Sequence, residues 1–171
     1  MGHTGKIIID FSALAALYVF VFFKKWREKG RGVLAVNTLM YVYLALVMYF
    51  TVMPVLSSLP QIFSHPYAPM HMTPFEDYLR GRGGAKMQII LNVVMTVPFG
   101  FLFPLLWRKH RGLLFLKTLL FTFLLSLSIE LLQPLIDRSS DITDIITNTT
   151  GGIVGYILYL PFSPLARRLL G

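Results

Sequence analysis

The sequence predicts an all-α integral membrane protein, a bundle of about five transmembrane helices with the N-terminus out and the C-terminus in. Three observations carry that reading. The 171 residues are 55% hydrophobic and 14% charged, with a mean hydropathy of +0.64. The apolar residues gather in runs of the length that crosses a bilayer, about 17–25 residues. Lys and Arg fall unevenly between those runs, as they do where basic loops stay on the cytoplasmic side. Backbone polar groups find no water in hydrocarbon, so each run is expected to be helical. No polar stretch is long enough for a separate soluble domain, and residues 1–171 read as a single transmembrane domain.

The first run is Ile7–Phe23, closed by the basic segment Lys24–Arg31. A signal peptide would carry its charge before the apolar core and a small-residue cleavage site after it. Neither is seen, so the run reads as a retained helix. The second run is Val33–Leu56, rich in Tyr and Met. A connector, Ser57–Lys86, follows; its prolines, glycines and aromatics suit a loop at the membrane interface. The third run, Met87–Trp107, is expected to be broken by Pro98 and Pro104. The fourth is Leu113–Ile136, and the fifth begins near Ile142 and reaches about Phe162. With the N-terminus outside, the inner segments hold ten basic residues, from Lys24–Arg31, Arg108–Arg111 and Arg167–Arg168. The outer ones hold five: Lys6, Arg80, Arg82, Lys86 and Arg138. That asymmetry sets the predicted orientation and accounts for the net charge of +8 without a nucleic-acid partner. The absence of cysteine excludes thiolate metal sites, disulfides and a cysteine nucleophile. His65 and His71 lie in a proline-rich loop, a poor frame for a metal, and neither a metal nor a cofactor is expected.

The chemistry concentrates in Ser126–Gly155, where Glu130, Gln133, Asp137, Arg138, Asp141, Asp144 and Asn148 stand in or beside apolar runs. At about 1.5 Å per residue, Asn92 in the third run lies near its outer end. Glu130 and Gln133 lie near the outer end of the fourth, and Asp144 and Asn148 near the outer start of the fifth. Three helices thus deliver polar groups to one outer third of the bilayer. Glu130 and Gln133 are i,i+3 and Asp144 and Asn148 are i,i+4, so each pair shares a face. Gly151, Gly152 and Gly155 continue the fifth face with spacing that lets helices approach closely. Pro98, Gly100 and Pro104 are expected to kink or thin the third helix where it meets the others.

These residues resemble the VanZ-like membrane proteins. The resemblance rests on Pro74-Phe75; on Asn92, Pro98, Gly100 and Pro104; on Ile129, Glu130 and Gln133; and on Arg138, Ser139, Asp141, Asp144, Asn148, Gly151 and Gly155. It covers about Pro74 to Gly155 within a core of about 74–162. Thr96 departs from it, an aromatic being expected there. The resemblance implies a multi-pass protein of the bacterial cell membrane, and its founding member is linked to resistance against the lipoglycopeptide teicoplanin.

Each residue also has a structural reading. Glu130 suits either an ion pair with Arg138 or a direct ligand or proton role, and Arg138 suits either that pair or an anionic ligand group. Asp141 suits a helix cap, and Asp144 suits capping and function equally. Asn92, Gln133 and Asn148 suit interhelical hydrogen bonds, and Lys117 suits snorkelling to the inner headgroups. Ser126 and Ser128 have no nearby base to activate them. The leading expectation is non-enzymatic: an outer-leaflet pocket of Asn92, Glu130, Gln133, Arg138, Asp141, Asp144 and Asn148. It would bind membrane lipid, a lipoglycopeptide antibiotic or a lipid-linked cell-wall precursor. The alternatives are a membrane-embedded enzyme using Glu130 and Asp144 as acid and base on an envelope lipid, and a structural partner whose polar cluster only sets helix register.

Overall fold

The computed structural model describes residues 3–54, 67–107, 113–136 and 138–170. Asp137, His65 and the basic loop Arg108, Lys109 and Arg111 lie outside them, as do the side chains of Arg167 and Arg168. Helix α1 (His3–Leu17) runs through a π-helical stretch, Tyr18–Phe23, into α2 (Lys24–Arg27), making one continuous rod. Helix α3 (Arg31–Thr51), the one-turn α4 (Glu76–Leu79), α5 (Ala85–Leu106), α6 (Leu114–Leu132) and α7 (Ile142–Leu170) follow. Helix α6 ends in a 3₁₀ turn, Gln133–Ile136. The α1–α2 rod, α3, α5, α6 and α7 are each long and apolar enough to cross a membrane.

The run limits shift at the prolines. The second run stops at Thr51, because Pro54 has no N–H and biases its predecessor away from helix. The third is not broken: α5 stays helical through Pro98 and Pro104. The fifth runs past Phe162, through Pro161 and Pro164, to Leu170. A proline deletes one donor, and hydrocarbon offers no water to compete for the helix bonds that remain.

Helices α5 and α7 form the most extensive pair; α6 packs on α7, α3 on α5, and the α1–α2 rod chiefly on α3. Buried apolar side chains gather in two clusters, Met40, Phe99, Leu102 and Phe103 in one and Val47, Val52 and Ile129 in the other. The outward faces are as apolar as the core, with Phe20 83% and Phe50 66% exposed. Lipid, not water, is the solvent that such a surface fits.

Candidate functional site

Glycine makes the α5–α7 crossing. A Cβ on Gly100 would strike the Gly152 carbonyl, one on Gly151 the Val93 carbonyl, and one on Gly155 the Val97 carbonyl. Gly152 in turn faces the Thr122 side chain of α6. Backbone therefore touches backbone, and three helices meet at one level. Hydrogen bonds close the junction: Thr96 Oγ1 donates to the Asn148 carbonyl at 2.6 Å, and Asn148 Nδ2 donates to Ser126 Oγ at 2.9 Å.

One end of the bundle is built by the start of α5, the end of α6 and the start of α7. Glu130 is there, only 1% exposed. Its Oε2 accepts the Asp141 N–H at 2.8 Å. With the Gln133 amide nitrogen turned toward the carboxylate, Nε2 also donates to Oε2 at 3.0 Å. Asp141 caps α7: its Oδ1 accepts the Thr143 N–H at 2.7 Å and its carbonyl accepts the Asp144 N–H at 3.1 Å. Asp144 accepts from Gln88 Nε2 of α5 at 3.3 and 3.4 Å. Asn92 approaches the same carboxylate from one turn further along α5.

Arg138 takes a role of its own. Its Nη1 donates to the Phe50 carbonyl at 3.0 Å and the Thr51 carbonyl at 2.8 Å. Those are orphan acceptors at the C-terminal end of α3, where a cation also meets the negative pole of the helix. Among the described residues no ion pair joins Arg138 to Glu130 or Asp144; the pairs present are Arg80–Glu76 and Arg82–Asp77.

The described part of the connector, from residue 67 on, contacts the α6–α7 turn at His71 and Phe75. The His71 N–H donates to the Ser140 carbonyl and the Ile142 N–H to the His71 carbonyl, both at 2.9 Å. The Phe75 N–H donates to Thr143 Oγ1 at 2.9 Å. Phe75 is left-handed (φ 58°), which turns the chain into α4. Between connector, α5 and α7 sits a recess of ≈ 20 Å³, lined by Phe75, Tyr78, Ala85, Gln88, Asp141 and Asp144, among others. It holds one water-sized group. Asn92, Glu130, Gln133, Arg138 and Asn148, expected in one pocket with Asp141 and Asp144, do not line it. Elsewhere along these helices and the α6–α7 turn, Asn92 Nδ2, Asn148 Oδ1, Ser140 Oγ and Thr149 Oγ1 are buried with no hydrogen-bond partner among the described residues.

Sequence reasoning passed over a polar seam on α6. Thr118, Thr122, Ser126 and Glu130 recur every fourth residue, each 0–1% exposed. Thr118 and Thr122 satisfy themselves on the Leu114 and Thr118 carbonyls at 2.8 Å. The four-residue spacing of hydroxyls leading to Glu130 was the available signal. Thr96, a departure from the expected aromatic, and Gln88 are also bonded parts of the junction.

A family model described as VanZ/LLP1 matches residues 11–166. This chain belongs to the VanZ/LLP1 family. Its first two spans carry no signature legible by eye, yet the VanZ/LLP1 match begins within α1. The chain is 30% identical over 131 residues to Protein VanZ of Enterococcus faecium, covering 76% of this chain and 73% of that protein. No solved structure matches it. With five apolar helices, it is a multi-pass membrane member of the VanZ/LLP1 family.

Proposed function

We propose that the protein works in the cell membrane as a non-catalytic binder of amphiphiles and lowers susceptibility to teicoplanin-type lipoglycopeptides. The basic-residue asymmetry supports an outside N-terminus, which puts the Glu130–Asp144 end of the bundle in the outer leaflet. The observation that carries the reading is the buried, unpartnered polar atoms of Ser140, ahead of α7, and Asn148, one turn below Asp144. Each such atom costs about 1–3 kcal/mol, so a fold that keeps them favours a polar group brought by a ligand. The carboxylates Asp141 and Asp144 suit a hydrogen-bond donor or amine on that ligand. The apolar outer faces suit its tail. Membrane lipid, a lipoglycopeptide and a lipid-linked cell-wall precursor each combine the two.

A second reading is a membrane enzyme acting on an envelope lipid by carboxylate acid/base chemistry. What favours it is Asp144, a carboxylate that opens on the recess beside Asp141, while Glu130 is enclosed by Asp141 and Gln133. Teicoplanin susceptibility and lipid mass spectra of the same cells separate the two. A binder protects without altering the lipid profile and loses protection in Asp144→Asn at equal folded protein. An enzyme shifts the profile, and Asp144→Asn restores it. Full protection by Asp144→Asn contradicts both.

A further inference from the structure

On the other side of α3, away from the polar junction, a groove of ≈ 370 Å³ runs between the α1–α2 rod and α3. Its walls include Leu14, Leu17, Trp26, Met40, Ala45 and Met48. Two polar side chains that reach it bond within the protein: Asn37 Nδ2 donates to the Val33 carbonyl and Tyr41 Oη to the Leu14 carbonyl, each at 2.7 Å. The rest of its lining is aliphatic or aromatic, so the interior suits a hydrocarbon occupant. A Tyr18–Thr38 hydrogen bond of 2.8 Å and the ring contacts of Tyr18, Phe22, Trp26 and Tyr41 hold its two walls together. From Trp26 to Leu14 the rod rises about 18 Å, close to the roughly 15 Å of hydrocarbon in one leaflet.

The mouth at Trp26 is cationic. Lys24, Lys25, Arg27, Lys29 and Arg31 surround it in sequence, with Glu28 the one acidic residue, and all are exposed. An apolar slot one leaflet deep, closed by basic residues at a single end, is complementary to an anionic diacyl phospholipid. We propose that this groove holds one such lipid, an acyl chain between α1 and α3 and the phosphate on the Lys24–Arg31 loop. A neutral lipid satisfies the slot and not the mouth; a second copy of the α1–α2 rod would bring its own like-charged loop to the same place. This site is separate from the Glu130–Asp144 end, and the proposal stands or falls independently of the function proposed there.

The test is tryptophan quenching in nanodiscs, with the full-length chain carrying Trp107→Phe so that Trp26 alone reports. Brominated phosphatidylglycerol is compared with brominated phosphatidylcholine. The site predicts quenching by the anionic lipid that saturates at low mole fraction, several-fold below that needed for the neutral lipid. Ala45→Phe, which fills the slot, and the surface pair Lys24→Gln/Lys25→Gln each remove the preference. Equal quenching by both lipids in the parent overturns it, because the groove then meets only bulk lipid. Protection of Trp26 from both lipids overturns it too, because a protein segment then fills the slot. If Ala45→Phe fails to fold, the lysine pair, distant from packing, decides alone.

Discussion

Gly151 has the Val93 carbonyl where a side chain would begin, and Gly155 has the Val97 carbonyl. Gly155→Val must therefore push α7 off α5, and overpacking of this kind costs about 1–3 kcal/mol or more. Thermal unfolding in detergent should show that loss for Gly155→Val. Gly83→Ala, with open space around it, should change little. An unchanged Gly155→Val would mean that the helices do not cross there. Thr96→Val tests the polar part of the same contact: losing the Asn148 hydrogen bond should cost on the order of 0.6–2 kcal/mol. The Asp141 cap was readable in advance, because an acid just ahead of an apolar helix has a local partner to find. The Arg138 contact was not. Its acceptors lie 87 and 88 residues away, at the end of a helix whose boundary is itself set by Pro54.

At the scale of the elements, the third, fourth and fifth runs could be placed from hydropathy, and the polar residues at their ends meet in part, Glu130 at Asp141 and Asp144 at Gln88. Pro98 and Pro104 do not break their helix, because helix breaking by proline is weaker where no water solvates the freed backbone. The connector was readable as a loop but not as a strap. Among the described residues its two backbone bonds to the α6–α7 turn involve one residue, His71, and a single bridge leaves no periodic pattern. The strap predicts a local effect. Thr143→Val removes the acceptor of the Phe75 N–H and should speed tryptic cleavage at Arg80 and Arg82, while the helical unfolding transition stays within about 1 kcal/mol. A global loss of stability with no change in cleavage would show that the contact serves the bundle and not the connector.

For the molecule as a whole, five apolar helices and the family match agree, and the orientation rests on where the basic residues fall. The chain has no cysteine, so single substitutions report sidedness directly. On intact cells a membrane-impermeant maleimide should label Gly83→Cys and leave Glu28→Cys unlabelled until lysis. The opposite pattern would place the Glu130–Asp144 end in the cytoplasm and remove its access to extracellular antibiotic. The most direct measurement of the central claim is equilibrium binding of teicoplanin and of a lipid II analogue to the purified protein in detergent. The account predicts saturable binding of at least one of them, weakened about tenfold or more by Asp144→Asn, a buried polar contact being worth roughly 1.5 kcal/mol or above. Failure of both to saturate, or saturation indifferent to Asp144, would contradict it.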